Sequence, residues 1–321
     1  MARPRLVALY TDFGTSDVYA GVLRGTVKSM APEVEAIDVT HGIEPGDVFA
    51  AAFALLSAVP FLPRGTVHLC VVDPGVGTSR RVLAVRAAGH TFVGPDNGVL
   101  APVVEALGGP TDLREVTNER LMRKRRSATF HGRDVMAPVV AHLARGIDFA
   151  NVGDEVAGMV PLPGFTPHVA DGRAAGRVLH VDRFGNVITN LLPGDLAGPA
   201  GSWDLRVAGR GIERWGTTFA DVAPGELLVY PGSVGFLEVA VRDGSAAREL
   251  PARPGDPVDA TRRGLLRRST WTASRAPPAT CWSGRCSTSV RRSTPSVRGS
   301  RSCSSRASRS TSWPRSLRIP G

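Results

Sequence analysis

The chain has 321 residues, room for two domains with real cores, and a formal net charge of +10 that by itself would point to a nucleic-acid partner. The distribution removes that argument: residues 262–321 hold 14 Arg and no Lys, Asp or Glu, so setting them aside leaves 25 basic against 29 acidic residues, a body of charge −4. The chain has no apolar run of about eighteen residues and its N-terminus, MARPRLVALY, shows no signal-peptide pattern; no membrane span and a cytoplasmic location are expected.

In chain order, LVALY (6–10) reads as a buried strand, and a helix follows over 17–30, ending before Ala31-Pro32. EAIDV (35–39) is the next strand, then a helix from about Pro45 to Pro60. TVHLCVV (66–72), RVLAVRA (81–87) and HTFVG (90–94) are strands, and helices are expected over 99–107 and 134–145. Near-continuous apolar strands alternating with helices indicate a layered α/β domain with a mainly parallel sheet, over residues 1–165.

The texture then changes. Residues 157–176 are rich in Pro and Gly, and 166–176 is read as a linker. RVLHVDRFGNVITNL, WDLRVAG, ELLVYPG, GFLEVAV and a segment near 258 are short strands between glycine turns, the pattern of a small β-barrel over 177–261. Trp203 and Trp215 are expected in its core or at an interface. Residues 262–321, with 15 Ser, lack any period of 2 or 3.6. They read as a gene translated out of frame, a disordered tail, although a basic arm has the same composition. Cys281, Cys286 and Cys303 lie there without zinc-ligand spacing, while Cys70 is expected to be a small buried side chain.

Ligands of such sheets bind outside the carboxyl ends of the strands. Asp12, Thr40-His41, Asp73 and Asp96-Asn97 each fall just past a strand, which marks a cleft at one sheet edge. No G-x-G-x-x-G follows the first strand, and DPGVGTSRR lacks the G-K-[ST] of a phosphate-binding loop. His41, His68, His90 and His142 form no compact metal pattern; neither a metal nor a cofactor is expected. RLMRKRR (120–126) reads as a solvated loop before His131 rather than a steering surface.

LVALYTDFGTSDVYAG (6–21), VVDPGVGTSRR (71–81), FVGPDNGVLAP (92–102), TFHGRDVMAPVVAHLA (129–144) and DRFGNVITN (182–190), in that order, resemble the S-adenosylmethionine (SAM) hydroxide adenosyltransferase family. The family includes SAM hydrolases, which form adenosine and methionine, and the related fluorinases and chlorinases. The resemblance runs from about residue 6 to 261. It implies an α/β domain followed by a β-barrel, and a homotrimer with SAM held between one subunit's first domain and its neighbour's second.

It also implies roles. Asp73, Arg80 and His131 match the Asp-Arg-His set around the attacking water, with Arg81 as rival for Arg80's place. Asp12 matches the carboxylate that holds the ribose hydroxyls. Asp182 and Asn186, with Phe184 beside them, match the methionine end, and Phe219 and the Ser233-Val234 turn border adenine. The sulfonium makes methionine a good leaving group, so the task is to direct water in line at ribose C5′. Asp73 or His131 could take its proton, whereas Arg80 stays protonated. Halogenation, with chloride as nucleophile, and SAM or adenosine binding with little turnover are the alternatives. The halogenases depart from the pattern at the Asp and His positions, and fluorinases carry a serine where this chain has Gly132.

Overall fold

The apolar runs LVALY and VHLCV become central strands buried on both faces, while EAIDV forms a partly exposed strand at the sheet's edge. The computed structural model describes residues 6–264, which lie in one compact unit. The first half contains β1 (Leu6–Thr11), α1 (Tyr19–Met30), β2 (Glu35–Thr40), α2 (Val48–Ala58), β3 (Val67–Val71), β4 (Val82–Ala87), β5 (His90–Pro95), α3 (Ala101–Ala106), β6 (Asp112–Glu115) and α4 (Ala137–Arg145). Helices cover both sheet faces: α2 and α3 close one cluster around Tyr10, Cys70 and Phe92, and α1 and α4 close the other around Leu9, Leu69 and Val93. Cys70 is fully buried, as expected of it.

The six strands lie in the order β2-β1-β3-β5-β4-β6, and the sheet is mixed rather than simply parallel. β2, β1, β3 and β5 pair in parallel, whereas β4 is antiparallel to both β5 and β6. The reason is local: only Ala88 and Gly89 separate β4 from β5, and both have positive φ, so the chain turns back as a tight hairpin. The consequence reaches the cleft. Because β4 is reversed, its amino end stands at the same sheet edge as the carboxyl ends of β1, β2, β3 and β5. The 72–81 connection therefore crosses that edge, over β5, and delivers Arg80 to it.

The second half contains β7 (His168–Ala170), β8 (Arg173–Val181), β9 (Val187–Thr189), β10 (Trp203–Val207), β11 (Arg210–Ile212), β12 (Leu227–Pro231), β13 (Leu237–Val241), α5 (Ala246–Glu249) and β14 (Pro257–Arg262). They form one antiparallel sheet in the order β11-β10-β14-β8-β9-β13-β12, with β7 also on β8. A bridge from Trp215, just past β11, to Val229 of β12 brings the ends together, so the sheet is nearly a closed barrel. Trp203 fills its interior with Leu205, Val229, Val239 and Val258, and Trp215 packs against it. The stretch read as linker holds β7 and the start of β8. β14 and an Arg263–Asp204 ion pair carry the fold slightly beyond residue 261, while the rest of the arginine-rich stretch, with Cys281, Cys286 and Cys303, lies outside the described residues.

α2 joins the halves. Its Leu55, and Val59 just past its end, share a cluster with Leu179, Ile188 and Phe236 of the barrel half; its Phe53 stacks on His180 at 5.4 Å and meets Phe236 at 6.0 Å.

A polar chain crosses the first core. Tyr10 Oη lies 3.1 Å from His68 Nδ1, and His68 Nε2 lies 3.1 Å from His90 Nδ1. Burial holds His68 down at about 3, with His90 adding to the effect, and burial lowers His90 too. The unfolded chain therefore takes up protons below about pH 6.5 that the folded chain refuses, so stability is full above that pH and is lost as pH falls toward 3. Thermal unfolding followed from pH 7 to pH 4 should show a falling Tm. The slope should be shallower in His68→Gln, which keeps hydrogen-bonding capacity but does not titrate.

Candidate active site

Asp73 is two residues beyond β3 and Arg80 two before β4. The loop between them folds on itself through Val76 N to Asp73 O at 3.1 Å and Thr78 N to Gly75 O at 3.2 Å. That closure lets the Arg80 guanidinium grip Asp73: Nε donates to both carboxylate oxygens, at 3.0 and 2.9 Å, and Nη2 also donates to Oδ2. Both side chains are nearly buried, at 5% exposed for Asp73 and 11% for Arg80. Arg80 Nη2 donates in addition to His131 Nδ1 at 2.9 Å, so one guanidinium joins all three.

The neighbouring Arg81 has different partners. Arg81 donates through Nε to Asp96 Oδ2 at 2.9 Å and through Nη2 to Gly158 O at 2.9 Å. Asp96 Oδ1 accepts from Val160 N at 2.7 Å. This second pair straps the 158–160 segment over the end of β5, with no bond to His131.

His131 precedes a π-helical turn, Gly132–Met136, that feeds α4, where the sequence suggested plain helix from 134. Buried Asp134 fixes this turn. Its carboxylate accepts from Arg133 Nε and Nη2, each at 2.7 Å, and from Ser127 N at 2.8 Å, and Arg133 holds its pKa below the usual carboxylate range. Within RLMRKRR, Leu121 and Met122 pack against the core cluster closed by α1 and α4, while its charged residues are exposed, with Arg126 paired to Glu119. Phe130 meets Phe13 at 5.7 Å and Tyr19 at 5.6 Å, a partly exposed aromatic trio beside His131. An arginine only donates, so His131 Nδ1 must accept and the ring is neutral, with its proton on Nε2. Burial, then Arg80, lowers its pKa, in keeping with that assignment.

Asp12, just past β1, accepts from Gly46 N at 2.8 Å through Oδ2. Its loop is clasped by His41: Thr11 Oγ1 lies 2.7 Å from His41 Nδ1 and accepts from Phe13 N at 3.2 Å, while Gly14 N donates to His41 O at 2.7 Å. His41 Nε2 stands 3.1 Å from Asp38 Oδ1, near enough for ion pairing but without hydrogen-bond alignment. His41 was legible as one of the residues just past a strand that mark the cleft, but its clasp on the Asp12 loop was not. Asp134 was missed as well, although its three-residue offset from His131 was legible.

The barrel supplies a separate group. Asp182 Oδ1 accepts from Phe184 N at 2.9 Å and Asn186 N at 2.8 Å, and Oδ2 accepts from Asn186 Nδ2 at 2.8 Å. These bonds make a rigid turn that leaves Phe184 78% exposed. Phe219, also exposed, leans edge-on against Tyr230 with centroids 5.1 Å apart. Ser233 and Val234 form the tip of the β12–β13 hairpin; Ser233 is exposed, and Val234 packs against the cluster shared with α2. Among the described residues, no hydrogen bond or ion pair joins Asp73, Arg80 and His131 to this barrel group. Nor does any group of three or more His, Cys, Asp or Glu side chains gather as a metal site, and no helix is long and apolar enough to cross a membrane.

Comparison with known proteins converges. Residues 7–153 match the model of the SAM hydroxide adenosyltransferase N-terminal domain, and residues 176–259 match that of the C-terminal domain. The chain is 44% identical over 265 residues to the (R)-S-adenosyl-L-methionine hydrolase of Salinispora tropica, covering 81% of this chain and 99% of that one. Identity to the hydrolase of the same name from Thermus thermophilus is 41%, over 79% and 98% of the two chains. A crystal structure of an uncharacterized conserved protein from Thermotoga maritima superposes with a TM-score of 0.74 at 40% identity, covering 79% of this chain and 99% of that one.

The His131 assignment is directly measurable. In ¹⁵N NMR at pH 7, Nδ1 should be unprotonated and Nε2 protonated, with a titration midpoint below 6.5. Arg80→Ala should raise that midpoint, because a nearby positive charge is removed while Asp73 remains.

Proposed function

This chain belongs to the SAM hydroxide adenosyltransferase family, and we propose that it hydrolyses SAM to adenosine and L-methionine by in-line attack of water at ribose C5′. Family membership makes it a SAM-hydrolysing enzyme; the route of attack and the residue roles rest on the local geometry. The observation that carries the reading is the single guanidinium that ties Asp73 to His131 at the sheet edge.

These contacts divide the labour. His131 Nδ1 is occupied by Arg80 and Nε2 bears a proton, so the ring donates to and aims the water rather than stripping it. Asp73 keeps lone pairs beyond those facing Arg80, and it takes the proton. As the water oxygen bonds to C5′, the C5′–S bond breaks, its electron pair neutralises the sulfonium, and a water proton passes to Asp73. Arg80 holds both partners in register and stabilises the hydroxide-like charge. Asp12 takes the ribose hydroxyls through Oδ1, since Oδ2 already accepts from Gly46. Asp182 and Asn186 meet the methionine end, with Phe184 alongside.

We place these last groups in a neighbouring copy of a homotrimer. The exposed Phe184 and Phe219 beside one set of groups, and the partly exposed Phe13, Tyr19 and Phe130 beside the other, support two half-sites that a second copy completes. The division into an α/β domain to 165 and a following barrel is proposed from the change of sheet, with β7 and the start of β8 moving the barrel's beginning from 177 back to 168.

Halogenation is the weaker reading. A Cβ added at Gly132 would stand 2.8 Å from Val71 Cγ1, and Val71 is a buried, β-branched strand residue. The serine that fluorinases carry there does not fit this backbone, and against chloride the reading rests on the retained Asp73 and His131, where the resembling halogenases depart from the pattern.

Purified protein with SAM in ¹⁸O-labelled water should yield methionine and adenosine labelled at the 5′ oxygen; 5′-chloroadenosine in chloride buffer would instead assign it to the halogenases. Asp73→Asn, Arg80→Lys and His131→Gln should each lower kcat by about 10²- to 10⁴-fold with SAM still bound. Binding without any product from the parent protein would leave a binding role. The acid limb of kcat should fall below pH 6.5, because protonating His131 ejects the Arg80 hydrogen bond.

A further inference from the structure

Beneath the barrel's exposed groups lies a buried polar pair that none of the roles above uses. Tyr230 and Glu238 face each other across β12 and β13, each 8% exposed, and the Tyr230 hydroxyl donates to Glu238 Oε2 at 2.6 Å. A carboxylate is costly to place in a barrel, and among the described residues no cation pairs with this one. Burial raises its pKa, the Tyr230 hydrogen bond lowers it, and Asp182 raises it.

Two features link the pair to the substrate groups. First, the Tyr230 ring supports the half-exposed Phe219 edge-on. The backbone under Phe219 is already fixed: Asp221 Oδ2 accepts from Thr217 N at 2.7 Å and Thr218 N at 3.1 Å, and Gly216 N donates to Val229 O at 2.9 Å. With the loop held below, the ring's tilt is left to Tyr230. Second, Glu238 Oε1 lies so close to Gly232 that any Cβ there would overlap it. Gly232 begins the tip that presents Ser233, closed by Gly232 N to Phe236 O at 2.8 Å and Gly235 N to Gly232 O at 3.0 Å.

We propose that Glu238 is a positioning residue: through the Tyr230 hydroxyl it sets the Phe219 face, and by contact with Gly232 it sets the Ser233-Val234 tip, so that one buried carboxylate aligns both walls of the purine subsite. The inference rests on the reading of Phe219 and the tip as adenine neighbours. An aromatic face held in advance loses less freedom when a base stacks on it. Glu238 touches no reacting atom, so its effect falls on KM rather than kcat.

The test is steady-state SAM hydrolysis by the full chain with Phe219→Leu, Tyr230→Phe, Glu238→Ala, Glu238→Gln and the double variant Phe219→Leu/Tyr230→Phe, with circular dichroism and Tm as folding controls. Tyr230→Phe and Glu238→Ala should each raise KM by about tenfold with kcat within about twofold of the parent. Glu238→Gln, which can still accept from Tyr230, should restore KM. Adding Tyr230→Phe to Phe219→Leu should change KM little further, because the hydroxyl acts through that ring. If Phe219→Leu leaves KM unchanged, the adenine reading fails. If Phe219→Leu raises KM but Tyr230→Phe and Glu238→Ala do not, the positioning role fails and the adenine reading stands. A loss of kcat at constant KM, or a Glu238→Gln protein as impaired as Glu238→Ala, would also overturn it. Should Glu238→Ala fail to fold, Tyr230→Phe and Glu238→Gln carry the decision.

Discussion

A guanidinium with donors to spare is the constraint around which the site is arranged. Arg80 commits Nε and Nη2 to Asp73 and shares Nη2 with His131, which fixes the distance between the two groups and the tautomer of the ring. Lysine could supply the charge but not the planar fork. The pair is nearly buried, so either partner left alone would carry an uncompensated charge, a loss of roughly 3–5 kcal/mol. The proposed catalytic geometry and the local stability thus rest on the same contact. The surrounding structure serves it: Asp134 ties down the turn that carries His131, Arg81 and Asp96 strap the neighbouring segment, and the reversed β4 delivers both arginines to the correct edge.

Much of this could be read from the residues. Buried strands announce themselves as runs such as LVALY and VHLCVV, and carboxylates at their ends mark an edge where chemistry belongs. Strand direction is not in such a run, because apolar alternation is the same read either way; β4 was reversed by a two-residue turn at Ala88-Gly89 that length alone could have flagged. For the same reason neighbouring arginines were hard to separate. Arg80 and Arg81 differ only in which way the backbone turns them, and that depends on β4.

Partners distant in sequence were the other blind spot. His41 lies thirty residues from Thr11 and the motif around it is short, so its clasp on the Asp12 loop is invisible until β1 and β2 pair. The Tyr230–Glu238 bond is of the same kind: each residue looks like an ordinary alternating strand position, and only hairpin register sets them face to face. The five-residue π turn after His131 had no sequence marker beyond the glycine that opens it. Asp182 and Asn186 were singled out through the family resemblance, as substrate contacts; the turn they form, bonded within four positions, came only with the structure.

Gly132 has a consequence for how such a fold changes over generations. Since the space beside it is filled by Val71, a side chain at 132 is harmful until Val71 shrinks, while shrinking Val71 first merely opens a gap. The two changes are epistatic, and their order matters: Val71 has to shrink before any residue larger than glycine can settle at 132.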